Sequence, residues 1–104
     1  MADFVLLYSG GSMPETEEEQ AQVMKAWDAW FAEIGGALKD GGNPFTPTAK
    51  TVAADGTVGD AKPLHSGYSI VKADSIDEAT KIAKGSPVLQ GGASVTLYEA
   101  FEVM

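Results

Sequence analysis

Few side chains in this sequence can do chemistry. His65 is its single histidine, and imidazole is the side chain that exchanges a proton most readily near neutral pH, so any acid–base scheme begins there. Asp60 lies just upstream on the same stretch and is the carboxylate that can orient the ring. Trp27, Trp30, Phe45 and Tyr68 form the second set, because small-molecule sites are built from apolar rings with a few placed polar groups. The spacing of Trp27 and Trp30 is equally that of a helical stripe packed on a core, so both uses stay open for these rings.

Other chemistries are excluded or disfavoured. Cysteine is absent, which removes disulfides, thiolate nucleophiles and cysteine-ligated metal centres. Ser9-Gly10-Gly11-Ser12 has the outline of a phosphate cradle before a helix, but Glu15, Glu17, Glu18 and Glu19 follow it and repel an anion. Glu15, Glu18 and Glu19 share a helix face instead of converging from several directions as hard-cation ligands do, and no EF-hand loop pattern is present. No metal site and no cofactor is read from the sequence.

The elements that must hold these residues alternate between strand and helix. Phe4-Val5-Leu6-Leu7-Tyr8 is an apolar run closed by the Ser9-Gly10-Gly11 turn, the pattern of a buried strand. Ser12-Met13-Pro14-Glu15 offers a cap, an N-terminal proline and a glutamate three positions on, so a helix is expected from near Pro14. Its apolar positions Val23, Met24, Trp27, Trp30, Phe31 and Ile34 recur at steps of three and four, and Gly35-Gly36 ends it. A short strand over 37–40, a Gly/Pro loop around Pro44, and a hairpin from Thr48 to Val58 through the Asp55-Gly56 turn come next. Asp60 to Ser66 reads as irregular. Gly67 to Lys72 is a strand, and Ser75-Ile76-Asp77-Glu78 is a capping box for a helix with Ile76, Ala79, Ile82 and Ala83 inward. The last strand runs from about Ser94 to Phe101.

This order is α+β, with two split βαβ units forming a ferredoxin-like protomer: an antiparallel sheet carrying two helices on one face. The chain of 104 residues is read as a single domain, 1–104. Side chains alternate along a strand, so Phe4, Leu6 and Tyr8 point to one face of the first strand and Val5 and Leu7 to the other. Both faces are apolar, and two helices cover only one. A second copy of the chain is therefore expected on the open face, making a homodimer.

Fifteen acidic against seven basic residues give a formal charge of −8, which opposes polyanion partners, so neither nucleic acid nor an anionic membrane is expected. No basic leader precedes the first apolar segment, and no apolar run approaches the roughly 20 residues of a bilayer span, so the expected location is cytoplasmic.

The runs Gly67-Tyr68-Ser69-Ile70, Ala73-Asp74-Ser75-Ile76-Asp77-Glu78-Ala79, Ala83-Lys84-Gly85-Ser86-Pro87 and Gly91-Gly92-Ala93-Ser94-Val95 resemble the C-terminal half of the YCII-related, or DGPF-domain, family. The first half agrees through the opening strand, the long helix and the loop near Pro44. The resemblance implies a ferredoxin-like protomer in a dimeric α+β barrel, a superfamily that includes small monooxygenases, isomerases and lyases. The namesake Asp-Gly-Pro-Phe is replaced by Gly59-Asp60-Ala61-Lys62-Pro63-Leu64-His65. Enzyme-like relatives place a histidine on the first helix beside an aspartate, where this helix has Lys25-Ala26-Trp27-Asp28. Two readings of function follow. One is a homodimeric small-molecule-binding or accessory protein; the alternative is a cofactor-independent enzyme of isomerase, lyase or monooxygenase type with His65 as general acid/base.

Overall fold

In the computed structural model, which describes residues 1–11, 15–46, 48–61 and 65–101, β1 (Ala2–Ser9) occupies the interior of the sheet. It pairs antiparallel with β5 (Gly67–Ala73) on one side and β6 (Ser94–Ala100) on the other. β2 (Leu38–Asp40) adds to the far edge of β5, giving the order β2-β5-β1-β6. β3 (Lys50–Val52) and β4 (Val58–Asp60) form a separate two-stranded ribbon. With α1 (Glu17–Ile34) between β1 and β2 and α2 (Ile76–Ala83) between β5 and β6, this is the expected pair of split βαβ units. The fold is α+β and ferredoxin-like.

The alternation expected for β1 is present. Phe4, Leu6 and Tyr8 are buried, and Val5, Leu7 and Ser9 are half-buried on the opposite face. β5 continues the pattern, with Ser69, Val71 and Ala73 inward and Tyr68, Ile70 and Lys72 on the other side. Among the described residues the buried apolar set is Phe4, Leu6, Tyr8, Trp30, Val71 and four alanines, with Trp27, Phe31, Ile34 and Ile82 packed against it. The molecule measures 44 × 38 × 18 Å, and the short dimension is that of one sheet and one helical layer, each about 10 Å deep.

Several local expectations are corrected. The cap of α1 is Thr16, whose Oγ1 accepts the Glu19 amide at 3.0 Å; Ser12 to Pro14 lie outside the described residues. Val23 and Met24 are exposed, because the first turns of α1 run past the sheet and only Trp27 onward packs. Ser75 caps α2 as expected, accepting from Glu78 N at 3.1 Å while Glu78 accepts from Asp74 N. Ile76 is 46% exposed, so Ala79 and Ala83 carry the buried side of that helix. Asp60 belongs to the ribbon, at the end of β4, and not to an irregular segment.

The loop after β2 is fastened along β5. Ser69 Oγ donates to Gly41 O at 2.7 Å, Tyr68 N to Asn43 O at 3.3 Å, and Phe45 N to Ser66 O at 2.8 Å. Gly42 makes this approach feasible: its φ is +74°, and a Cβ there would stand 1.7 Å from the Tyr68 carbonyl oxygen. Replacing Gly42 with Ala therefore adds a backbone clash to left-handed strain. The expected outcome is a loss of about 3 kcal/mol, read as a lower urea midpoint; Gly56→Ala, whose Cβ would meet nothing within 4 Å, loses less.

Candidate functional site

The structure divides the candidate rings between the two faces of the sheet. Trp27 and Trp30 lie on the helix side. Trp27 packs edge-on against Tyr8, with ring centroids 5.5 Å apart, and also touches Trp30 and Phe31. Trp30 is buried, and its Nε1 donates to Ile82 O at 3.2 Å, which joins the C-terminal part of α1 to α2. These two rings are core, as helical spacing allowed. A cleft of about 290 Å³ opens beside them, lined by Trp30, Ile34, Ala37, Ile82, Glu33 and Lys81 among others. It contains none of the acid–base candidates, and the one indole N–H beside it is already satisfied.

Phe45 and Tyr68 belong to the open face. Tyr68 projects there from β5, and Phe45 stacks on it with centroids 5.7 Å apart and planes 22° from parallel. Phe45 remains 45% exposed. The fastened loop delivers it: two hydrogen bonds to β5 and a third to Ser66, just before that strand, set the height of the Phe45 backbone above Tyr68.

His65 joins this group through a residue the sequence did not single out. Ser9 ends β1 on the same face as Val5 and Leu7, and its Oγ lies 3.0 Å from His65 Nδ1. Leu7, one same-face step back along β1, stands opposite Tyr68. The His65 ring, Ser9 and the Phe45–Tyr68 stack thus converge on one end of the open face. Reading Ser9 only as the start of a turn concealed it; the alternation of β1 carried one residue further points to it. Asp60 is not part of the group. Its carboxylate pairs with Lys50, directly opposite in the ribbon. Cross-strand register places that lysine against it, and His65 finds Ser9 instead.

The Ser9–His65 bond works in either tautomer. If Nδ1 carries the proton, Ser9 accepts and Nε2 offers a lone pair; if Ser9 donates, Nε2 carries the proton. Nε2 is the atom left to meet a ligand, and among the described residues nothing else bonds the ring. Among the described residues no cluster of histidine, aspartate or glutamate has the arrangement of a metal site, and no helix is long and apolar enough to cross a membrane.

Beneath this end of the sheet runs a buried polar chain. Tyr8 Oη donates to Ser69 Oγ at 2.7 Å, and Ser69 in turn donates to Gly41 O. The chain ties the floor of the site to the loop that carries Phe45.

No family model matches the chain, and no curated protein matches it. Among solved structures it is similar to 5-chloro-2-hydroxyhydroquinone dehydrochlorinase (TftG) from Burkholderia phenoliruptrix AC1100, in complex with 2,5-dihydroxybenzoquinone. The two share 19% identity and a TM-score of 0.53 over 95% of this chain and 93% of that one. At this identity the likeness establishes the fold.

Burial pushes the Tyr8 phenol above its usual value of 10.0, against the opposing hydrogen bonds of Ser69 and Ser86. The unfolded chain then releases this proton at lower pH than the folded one, so stability is fully present below about pH 10 and falls as pH rises beyond it. Urea midpoints measured from about pH 8 to about pH 11 should show this fall in the native protein. Tyr8→Phe should lose about 1 kcal/mol at neutral pH and flatten the alkaline part of the curve.

Proposed function

We propose that this protein binds a small hydroxylated planar molecule at the His65 end of the open sheet face, and that it does so as a homodimer. One observation carries the reading: the Ser9–His65 hydrogen bond and the Phe45–Tyr68 stack occupy the same end of the same face. A ring can lie on the exposed side of Phe45, and His65 Nε2 can meet a hydroxyl or carbonyl oxygen on it. The dihydroxybenzoquinone held by the structural neighbour is a ligand of this class. The order of turns and caps in the C-terminal half supports placing the chain among YCII-related proteins.

Charge and polarity support the second copy. On this face β1 and β5 carry one carboxylate, Asp3, which pairs with Lys39, and one further cation, Lys72 opposite Asp3. β6 adds Ser94, Thr96, Tyr98 and Ala100. A chain of net charge −8 thus keeps its open face free of excess negative charge, where a like-charged copy can approach. Such a partner covers Val5, Leu7 and Ile70 and closes the site against water.

The enzyme reading rests on the same pair. An imidazole held at Nδ1 by a hydroxyl has the geometry of a positioned general acid/base, so His65 is the residue on which turnover would depend.

The test is calorimetric titration with 2,5-dihydroxybenzoquinone and hydroxyhydroquinone, with absorbance followed for turnover. Tyr68→Ala and His65→Ala are expected to weaken binding at least tenfold, about 1.4 kcal/mol, while Glu33→Gln in the helix-side cleft leaves it unchanged. Equal affinity in all three variants would refute the site. Turnover lost in His65→Ala with binding retained would select the enzyme reading.

A further inference from the structure

Among the described residues the β3–β4 ribbon stands out as exposed along its whole length. Its geometry is nonetheless fully specified. Val52 stands opposite Val58, Thr51 opposite Gly59 and Lys50 opposite Asp60. Gly56 turns the chain at φ +90°, and the Asp55 carboxylate accepts from Thr57 Oγ1 at 2.6 Å and Thr57 N at 3.0 Å, which holds that carboxyl below its usual range. Every residue from Lys50 to Asp60 is exposed, with Val52 and Val58 at 66% and 65%. A bare two-stranded ribbon is marginal in water, and an opposed pair of β-branched residues on one side of it is what a covered surface needs.

We infer that the ribbon clasps a second copy of this chain, with the Val52–Val58 side against that copy. The inference rests on the homodimer reading above and extends it. Area is the first argument. The four-stranded face is about 19 Å across and about 23 Å long, and one edge of it is the three-residue β2, a small platform for the about 800 Å² of accessible surface that each partner of a stable pair usually buries. The ribbon extends the surface by about 16 Å from root to turn. Continuity is the second: Ala61 N donates to Ala49 O at the root, and the root lies between Phe45 and His65 in sequence, about four residues from each, so short links tether the ribbon to the proposed site. Charge is the third. Lys50 and Asp60 cancel on the same side as the valines, so this side adds no repulsion between two copies of net charge −8.

Sedimentation equilibrium of the full chain, with Val58→Asp and Thr51→Asp compared, tests this. Both substitutions add one negative charge to the ribbon, on opposite sides. A dimeric native protein, a dissociation constant raised at least tenfold by Val58→Asp, and little change with Thr51→Asp are expected. Because cysteine is absent, a spin label on Ala54→Cys is unique; mixed with an unlabelled ¹⁵N copy of the native chain, it should broaden amide signals of that copy, a readout independent of the aspartate variants. A native dimer in which both aspartate variants behave alike, or in which no broadening crosses between copies, overturns the clasp and leaves the homodimer standing. A monomeric native protein overturns both.

Discussion

β1 is hydrogen-bonded along both edges and apolar on both faces, and nearly every other feature of the protein answers to that constraint. Its inner side chains, Phe4, Leu6 and Tyr8, fix where the two helices must lie. The remainder of the buried apolar set is thin: one tryptophan, one valine and alanines. A fully buried Leu or Phe contributes about 1.5–3 kcal/mol, so the three inner residues of one strand supply a large share of what holds the protomer together. Val5 and Leu7, with Ile70 beside them, offer a comparable quantity on the other face. That free energy is only partly realised while the face is bare, which is the physical pressure toward a cover.

Charge is distributed in keeping with this. Glu17, Glu18 and Glu19 occupy the first turn of α1 and Asp77 and Glu78 that of α2, where the helix dipole favours them. The acidic character of the chain is thereby spent on the helical layer. An even distribution of the same residues would have placed carboxylates among Val5, Leu7 and Tyr68 and made both a ligand with an anionic form and a like-charged neighbour costly to bring close.

The sequence was most informative where one local rule governs. Period-two alternation located both faces of β1, the Ser75–Glu78 capping box located α2, and the Asp55-Gly56 turn located the ribbon. It was least informative where tertiary geometry decides. Nothing local shows that α1 projects beyond the sheet and leaves Val23 and Met24 in water, or that Trp27 and Phe45, similar in kind, end up on opposite faces. Asp60 and His65 are close in sequence, and proximity suggested a pair. The ribbon's register gave Asp60 to Lys50, and a strand end more than fifty positions away gave Ser9 to His65. Side-chain pairs made by distant strands are specified by the fold as a whole, which a local pattern cannot reveal.

The contact between Gly42 and the Tyr68 carbonyl has a consequence for motion. To peel back, the loop bearing Phe45 must give up its hydrogen bonds to Ser66, Tyr68 and Ser69. Phe45 and Tyr68 are thus held as one wall while those bonds last, and their amide protons, bonded to Ser66 O and Asn43 O, meet solvent when the loop and strand part. For a ligand of the kind proposed, the Phe45–Tyr68 side would then act as a preformed surface and not as a moving flap.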